Sequence, residues 1–174
     1  MTKSLVVLFF FMFVCFGVNG TEIKNNRLTV TVNTKDASIS FPGFLELILF
    51  RPSIPTTVEI IKGKPPTSTN TTDYRLIDFP TIHMSFTPYP SGPLSMFIEN
   101  PFPSHPELLS DITVLMLGYD EGGHDLIPVA SIETRPCGKN RSDLCFDFRP
   151  NGWQDSSGKY QMEMILARRT QNGE

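Results

Sequence analysis

Short segments in which apolar and polar residues alternate recur along most of this chain. The first places Leu28, Val30 and Val32 between Thr29, Thr31 and Asn33. The same period returns at residues 37–41, 82–86, 94–99 and 160–164. Alternation with a period of two places one face of a strand on a core and the other in water, which is typical of antiparallel sheets. No long stripe with the helical spacing i, i+3, i+4, i+7 interrupts it, so the pattern predicts an all-β fold.

Two further segments, residues 43–50 and 111–117, are apolar on both faces, which favours central strands covered on both sides. Residues 111–119 and 126–133, joined by a polar turn, are expected to form one long hairpin. Six prolines in residues 87–93 and 100–106 bracket residues 94–99, which we expect to be an edge strand or a crossover.

These segments predict an antiparallel β-sandwich, immunoglobulin-like or related, of about nine strands. We expect residues 21–174 to form one domain. The alternative, two domains joined by a proline-rich linker, would leave each half with fewer than about 90 residues and too small a core.

The N-terminal residues have the composition of a secretory signal peptide. Lys3 precedes an apolar run from Leu5 to Phe16, and the small residue Gly20 comes before the polar Thr21. We expect residues 1–20 to be removed and the mature protein to be extracellular. An uncleaved membrane anchor is the alternative, but the run is shorter than the roughly 20 residues that span a bilayer.

Two cysteines remain in the predicted mature chain, because Cys15 leaves with the signal peptide. An even pair in an exported protein indicates a disulfide, so we expect Cys137 to pair with Cys145 and their loop to project from the edge of the sandwich. Free thiols or a metal site are the alternatives. Residues Asn70 and Asn140 begin N-x-Ser/Thr sequons in polar, loop-like sequence and are predicted glycosylation sites.

Charge excludes one large class of partner. Without Lys3 the chain has 14 basic and 18 acidic residues, a net charge of −4, and no basic stripe. Nucleic acid binding needs a concentrated basic face and is not expected. A second apolar run of spanning length is also absent from the sequence, so no membrane span is expected in the mature chain.

Residues 120–125 form the densest group of possible metal ligands, but they lack the spacing of an EF-hand and are better interpreted as a solvated turn. The three histidines, His83, His105 and His124, have no sequence-local catalytic partner, and no Gly-x-Ser-x-Gly motif occurs. We therefore expect no catalytic residues, no metal and no cofactor.

Residues 158–162 (Gly-Lys-Tyr-Gln-Met) resemble the tyrosine corner of immunoglobulin-like sandwiches, with Met162 where those domains have a cysteine. The resemblance covers about eight residues and assigns no family. The polar end of the chain, after the strand that includes residues 160–167, is expected to be a frayed tail or the start of an absent final strand.

The leading functional hypothesis is a secreted glycoprotein that binds an extracellular protein or glycan, through loops at residues 62–73, 87–93 and 100–106. The first alternative is a carrier that holds an apolar ligand between its sheets, suggested by the abundant phenylalanines and methionines, since methionine adapts to flexible ligands. The second alternative is a secreted hydrolase whose site assembles only in three dimensions.

Overall fold

The computed structural model describes residues 18–33, 36–50, 54–66, 73–88, 92–119, 126–149 and 159–170. The features predicted at residues 1–17, Asn70, the turn 120–125 with His124, and residues 171–174 lie outside these ranges. The described residues form thirteen strands and one 3-10 helix at Pro106–Asp111. The strands are β1 Val18–Lys24, β2 Arg27–Val32, β3 Asp36–Phe41, β4 Leu45–Phe50, β5 Thr56–Lys62, β6 Tyr74–Leu76, β7 Ile82–Thr87, β8 Leu94–Ile98, β9 Ile112–Tyr119, β10 Leu126–Glu133, β11 Arg135–Cys137, β12 Asp143–Phe148 and β13 Tyr160–Arg169.

Two antiparallel sheets pack together, which confirms the predicted all-β sandwich. The larger sheet has eight strands in the order β1-β2-β5-β7-β13-β9-β10, with β6 paired to β13 beside β7. The smaller sheet has five strands in the order β11-β12-β8-β4-β3. The hairpin predicted from residues 111–133 is present as β9 and β10, which pair with a bulge between Pro128 and Ala130.

The core lies between the sheets and is built from the alternating residues that the sequence pattern assigned to it. Leu28, Val30 and Val32 of β2 are at most 1 % exposed, and the inward-facing apolar residues of β7, β8 and β12 are at most 5 % exposed. Twenty-nine buried side chains form one continuous cluster. At about 25 cal/mol per Å² of buried apolar surface, a core of this kind is the main source of stability.

Strand β8 corrects one expectation. It lies in the middle of the smaller sheet, between β4 and β12, and so is not an edge strand. It is a crossover, since the strands before and after it along the chain, β7 and β9, belong to the larger sheet. The prolines flank β8 without entering it, and a proline outside the ladder costs no hydrogen bond within it.

One end of the sandwich is closed by a row of phenylalanines. Phe44 makes an edge contact with Phe41 and stacks on Phe79, which in turn contacts Phe102, with ring centroids 5.4–6.4 Å apart. Phe79 reaches this position because residues 77–81 leave the line of β6 and β7 for five residues and then rejoin it. Aromatic contacts of this kind contribute roughly 0.5–1.5 kcal/mol each beyond their buried area.

Strand β1 begins inside the predicted signal peptide. Val18 and Asn19 pair with Val32 and Thr31 of β2, and after a bulge Glu22 to Lys24 pair with β2 as well. Cleavage after Gly20 would remove the first two of these pairs and leave the rest of the β1–β2 hairpin.

Candidate functional site

The outer face of the larger sheet gathers polar side chains from four strands that are distant in sequence. In the register of the sheet, Glu59 of β5 is opposite Ser85 of β7, and Ser85 is opposite Gln161 of β13. One row along, Ile61 is opposite His83, and His83 is opposite Glu163. Residues directly opposite in antiparallel strands share a face, so the two rows form one surface. We call Arg27, Glu59, His83, Lys159 and Glu163 the charged patch.

Glu59 is the centre of the charged patch. Its Oε2 accepts a hydrogen bond from Lys159 Nζ at 2.8 Å and one from Ser85 Oγ at 3.3 Å. Its Oε1 lies 3.2 Å from Arg27 Nε. The Glu59 side chain is only 17 % exposed, whereas that of Arg27 is 57 % exposed. Donors from three other strands or loops therefore hold one carboxylate in a fixed position.

The two basic neighbours also determine the charge state of Glu59. The hydrogen bond from Lys159 lowers the pKa of Glu59 below its ordinary value, and burial opposes this effect. The positive charges of Lys159 and Arg27 and the Ser85 hydroxyl lower the pKa further. Glu59 is therefore a carboxylate at neutral pH, and the centre of the patch is ionised.

His83 and Glu163 form the second contact in the patch. His83 Nδ1 lies 3.4 Å from Glu163 Oε2. The opposite edge of the imidazole packs against Gly63, where an added Cβ would lie 2.5 Å from His83 Nε2 and 3.2 Å from the Thr81 carbonyl oxygen. Gly63 also donates its backbone N–H to that carbonyl at 2.8 Å. A residue without a side chain is therefore required at position 63 for the ring to lie where it does.

A small pocket opens between these side chains. It has a volume of about 60 Å³ and is lined by all of the charged patch except Arg27, together with Ile61, Ser85 and Gln161 and the buried Met84 and Met162. Sites that enclose a whole small molecule have volumes of about 300–1,000 Å³. This pocket has room for a few water molecules or for one projecting group of a larger partner.

The charged patch and the adjacent Ser85 bring together a histidine, a serine and carboxylates, so their geometry bears on the hydrolase alternative. An activated serine needs its hydroxyl within about 2.6–3.2 Å of a general base. Ser85 donates instead to Glu59, and the His83 nitrogen not facing Glu163 lies against the Gly63 backbone. The Glu163–His83 pair is therefore not directed at Ser85.

His105 lies elsewhere, before the 3-10 helix, where its exposed ring is 3.1 Å from Glu107.

Sequence reasoning placed His83 on the polar face of its strand, which is confirmed, but it did not find the charged patch. Glu59 is 100 residues from Lys159 in sequence, and no local motif joins it to the segment that contains Lys159 and Glu163. The available signal was alternation, which assigns His83 and Glu163 to the polar faces of their strands, but it gives neither the pairing of these strands nor their register.

The predicted disulfide is present in the structure. Cys137 and Cys145 are bonded with their Cα atoms 5.9 Å apart, and they join β11 to β12 at the edge of the smaller sheet. The loop between them is further held by Asp143, whose Oδ1 accepts from the Asn100 N–H at 3.1 Å. Asn140 is exposed in this loop with a φ of 74°, a left-handed conformation that asparagine tolerates. The second predicted glycosylation site, Asn70, lies outside the described residues.

The three loops proposed as a variable surface divide between two ends of the sandwich. Lys62 precedes the first loop and is opposite Ile82, which is itself opposite Met164 of β13. Residues 100–106 lead through the 3-10 helix to Ile112, opposite Arg168. The third loop instead follows Thr87, beyond the pair Phe86–Tyr160 at the start of β13. The described residues that flank these loops therefore lie at two different ends of the sandwich.

Within the described ranges, no three histidine, cysteine or acidic side chains are grouped as a metal site would require. In the same part of the chain, no helix has the length and apolar composition to cross a membrane.

Comparison of the chain with protein-family models, with curated proteins and with solved structures finds no match.

Proposed function

We propose that this chain is a secreted binding module and that the charged patch is its recognition surface for an extracellular protein or glycan. The observation that carries the proposal is the small pocket on the outer face of the larger sheet, bordered by acidic and basic groups. Because these groups come from paired strands, their positions are fixed before a partner arrives, which reduces the ordering cost of binding.

The chemistry of the patch suits a polar group projecting from a macromolecule. Arg27 presents a guanidinium that is more than half exposed, and it uses Nε toward Glu59. Glu163 lines the pocket and offers a carboxylate acceptor. A hydroxyl of a sugar, or a hydroxyl or charged side chain of a protein, can both donate and accept in such a setting.

Secretion receives indirect support from the disulfide. A bond between Cys137 and Cys145 persists in an oxidising compartment, which agrees with the signal peptide expected at residues 1–20. The exposed Asn140 in the disulfide loop is accessible to a glycosyltransferase. A glycan there would project from the edge of the smaller sheet and leave the charged patch uncovered.

The experiment is a capture assay from the native extracellular fluid together with a glycan array. Arg27→Glu is the test variant, and Arg135→Glu is its matched control. Both arginines are more than half exposed and each contacts one carboxylate, Arg27 at 3.2 Å on the larger sheet and Arg135 at 3.5 Å on the smaller. We expect Arg27→Glu to weaken capture of a specific partner at least about tenfold, the range of a central interface arginine, and Arg135→Glu to retain it. Equal binding by both variants, with circular dichroism showing both folded, would contradict the assignment of the patch.

The carrier and hydrolase alternatives remain predictions. The core methionines of β7, β8, β9 and β13 are at most 3 % exposed and belong to one packed cluster with their neighbours. Methionine fills irregular gaps in ordinary cores as well as in ligand sites, so this burial favours the ordinary role. Native mass spectrometry of the secreted protein, which would detect a retained lipid, tests the carrier directly.

A further inference from the structure

The free edge of strand β3 differs from the other sheet edges in the described part of the chain. A free edge presents unpaired backbone N–H and C=O groups, and proteins usually block it with a bulge, a proline or a very short strand. Strand β1 has a bulge between Asn19 and Glu22, and cleavage after Gly20 would leave it only the three paired residues Glu22, Ile23 and Lys24; β10 has Pro128 with a bulge beside it. Strand β11 has three residues including Pro136, and β6 has only three residues. Strand β3 is six residues long, pairs without a bulge to β4, and contains neither proline nor glycine.

The larger sheet extends past this edge. Residues 33–35 join β2 to β3, so the start of β3 lies within about 14 Å of the end of β2, in the facing sheet. Strand β1 is one position further out than β2, where the smaller sheet has no strand. Among the residues that the structure describes, no strand opposes the side of β1 that faces the smaller sheet.

The exposure of Ile23 is the evidence that the described residues leave the inner side of β1 uncovered. It is opposite Leu28, which is fully buried in the core, and paired residues share a face, so Ile23 lies on the core-facing side of β1. Its exposure is nevertheless 51 %, one of two large hydrophobic residues described as exposed. An apolar side chain on the inner side of a sheet is normally covered by the second sheet.

We infer that the edge of β3 accepts an extended peptide segment of a partner protein, which adds a sixth strand to the smaller sheet and covers Ile23. Main-chain hydrogen bonds to β3 would supply affinity, and alternate side chains would supply specificity. Six residues of β3 give a pairing length of about 20 Å. This inference is independent of the charged patch, which lies on the opposite side of the larger sheet.

The proposed occupant is a single strand of a partner protein, because a second copy of the chain does not fit the edge of β3 as well. A copy paired through its own β3 would bring its β2 over the position where β1 already projects. On the solvent side, Asp36 and Glu46 are the charged residues of β3, β4 and β8, and both are acidic. Glu46 accepts a hydrogen bond from the neutral Ser38 of β3. The structure therefore favours a segment in which apolar residues, directed at Ile23 and the core, alternate with lysine or arginine.

The probe is a capped seven-residue peptide that alternates lysine with valine and isoleucine. Its controls are the same peptide with glutamate for lysine and a version with a central proline. Binding is measured by fluorescence anisotropy, and the site is located by amide hydrogen exchange. We expect the lysine peptide to bind at least about tenfold more tightly than the glutamate peptide at low salt. We also expect the amides of residues 36–41 to exchange more slowly when it is bound.

The chain supplies a matched pair of variants for Ile23. Ile54 is equally exposed at 51 % and precedes β5 at the opposite end of β2. Ile23→Ser should weaken binding of the lysine peptide about fivefold, from the loss of roughly half a buried isoleucine, whereas Ile54→Ser should leave it unchanged. Equal affinity for the lysine and glutamate peptides, or protection at β1 or β10 instead of β3, would overturn the inference. A dimer in sedimentation experiments with β3 protected in the absence of peptide would overturn it too, because the occupant would then be a second copy.

Discussion

His83 and Glu163 lie directly opposite each other on strands β7 and β13, with 3.4 Å between His83 Nδ1 and Glu163 Oε2. The contact joins segments eighty residues apart at the centre of the larger sheet. It depends on Gly63, whose missing side chain leaves space for the imidazole on its other edge.

Gly63→Ala should therefore displace His83 from Glu163. The new Cβ would lie 2.5 Å from His83 Nε2, and the ring is the group that can move. We expect a loss of about 1 kcal/mol in the free energy of unfolding, and a smaller loss when His83 is already alanine, because the clash is then gone. Denaturant unfolding of the four proteins in this double-mutant cycle measures the coupling. Strict additivity would contradict a direct steric link.

The charge network around Glu59 should contribute a pH-dependent part of the stability. Because the pKa of Glu59 is lowered in the folded protein, mainly by the Lys159 hydrogen bond, the stabilisation is complete above the unfolded pKa near 4.5 and is lost as the pH falls through the folded value. The stability difference between wild type and Glu59→Gln should be about 1 kcal/mol or less at pH 7 and should shrink toward pH 3.

The variant Lys159→Met tests whether the Lys159 hydrogen bond is the main cause of the lowered pKa of Glu59. Removing the Lys159 ammonium, whose hydrogen bond contributes most, should raise the pKa of Glu59 and shift the acid-dependent loss of stability to higher pH. Thermal unfolding between pH 3 and pH 7 would show this shift. Coincident profiles for wild type and Glu59→Gln would argue against the network.

Two glycines with left-handed backbone should respond differently to alanine. Gly43 has a φ of 68° with nothing within 4 Å of an added Cβ, so Gly43→Ala should cost about 1 kcal/mol from the backbone alone. Gly138 has a φ of 75°, and its Cβ would lie 2.0 Å from Asp143 Oδ2. Gly138→Ala should therefore cost clearly more, by about 1 kcal/mol or more, and should release the Asp143 contact with Asn100. Urea unfolding midpoints compare the two, and equal losses would show that Asp143 moves freely.

The structure predicts a covalent bond between Cys137 and Cys145 that peptide mapping can detect. Peptide mapping of the non-reduced protein should recover Cys137 linked to Cys145, and Cys137→Ser with Cys145→Ser should lose about 2.5 kcal/mol from the closure of a nine-residue loop. In a eukaryotic secretory host, Asn140→Gln should also remove one glycan's mass. Full alkylation of both thiols without reduction would disprove the bond.

Alternation was enough to predict the sandwich because it records which side of each strand meets the core. Val30, Met84 and Leu94 were all assigned to the inner face and are all buried. Strand count was underestimated, since three-residue strands such as β6 carry too little pattern to be detected. Strand β1 was missed in part because Val18 to Gly20 had been assigned to the signal peptide.

The charged patch could not be predicted for a different reason. Its contacts depend on which strands are neighbours and in what register, and both are set by long-range packing. Glu59 and Lys159 are 100 residues apart in sequence, and nothing local indicates that they meet. The disulfide was predictable because its two residues are separated by only eight positions and share one loop.

Strand β13 is the last of the described strands in chain order, yet it lies near the middle of the larger sheet, between β7 on one side and β9 on the other. During synthesis, β1, β2, β5 and β7 can pair with one another, and so can β9 and β10, but the two groups remain separate until residues 160–169 have emerged from the ribosome. A nascent chain that stops before Tyr160 exposes two unpaired strand edges where the finished protein has a continuous sheet. The larger sheet is therefore completed only after β13 has been synthesised, and its two halves need protection from other strands until then.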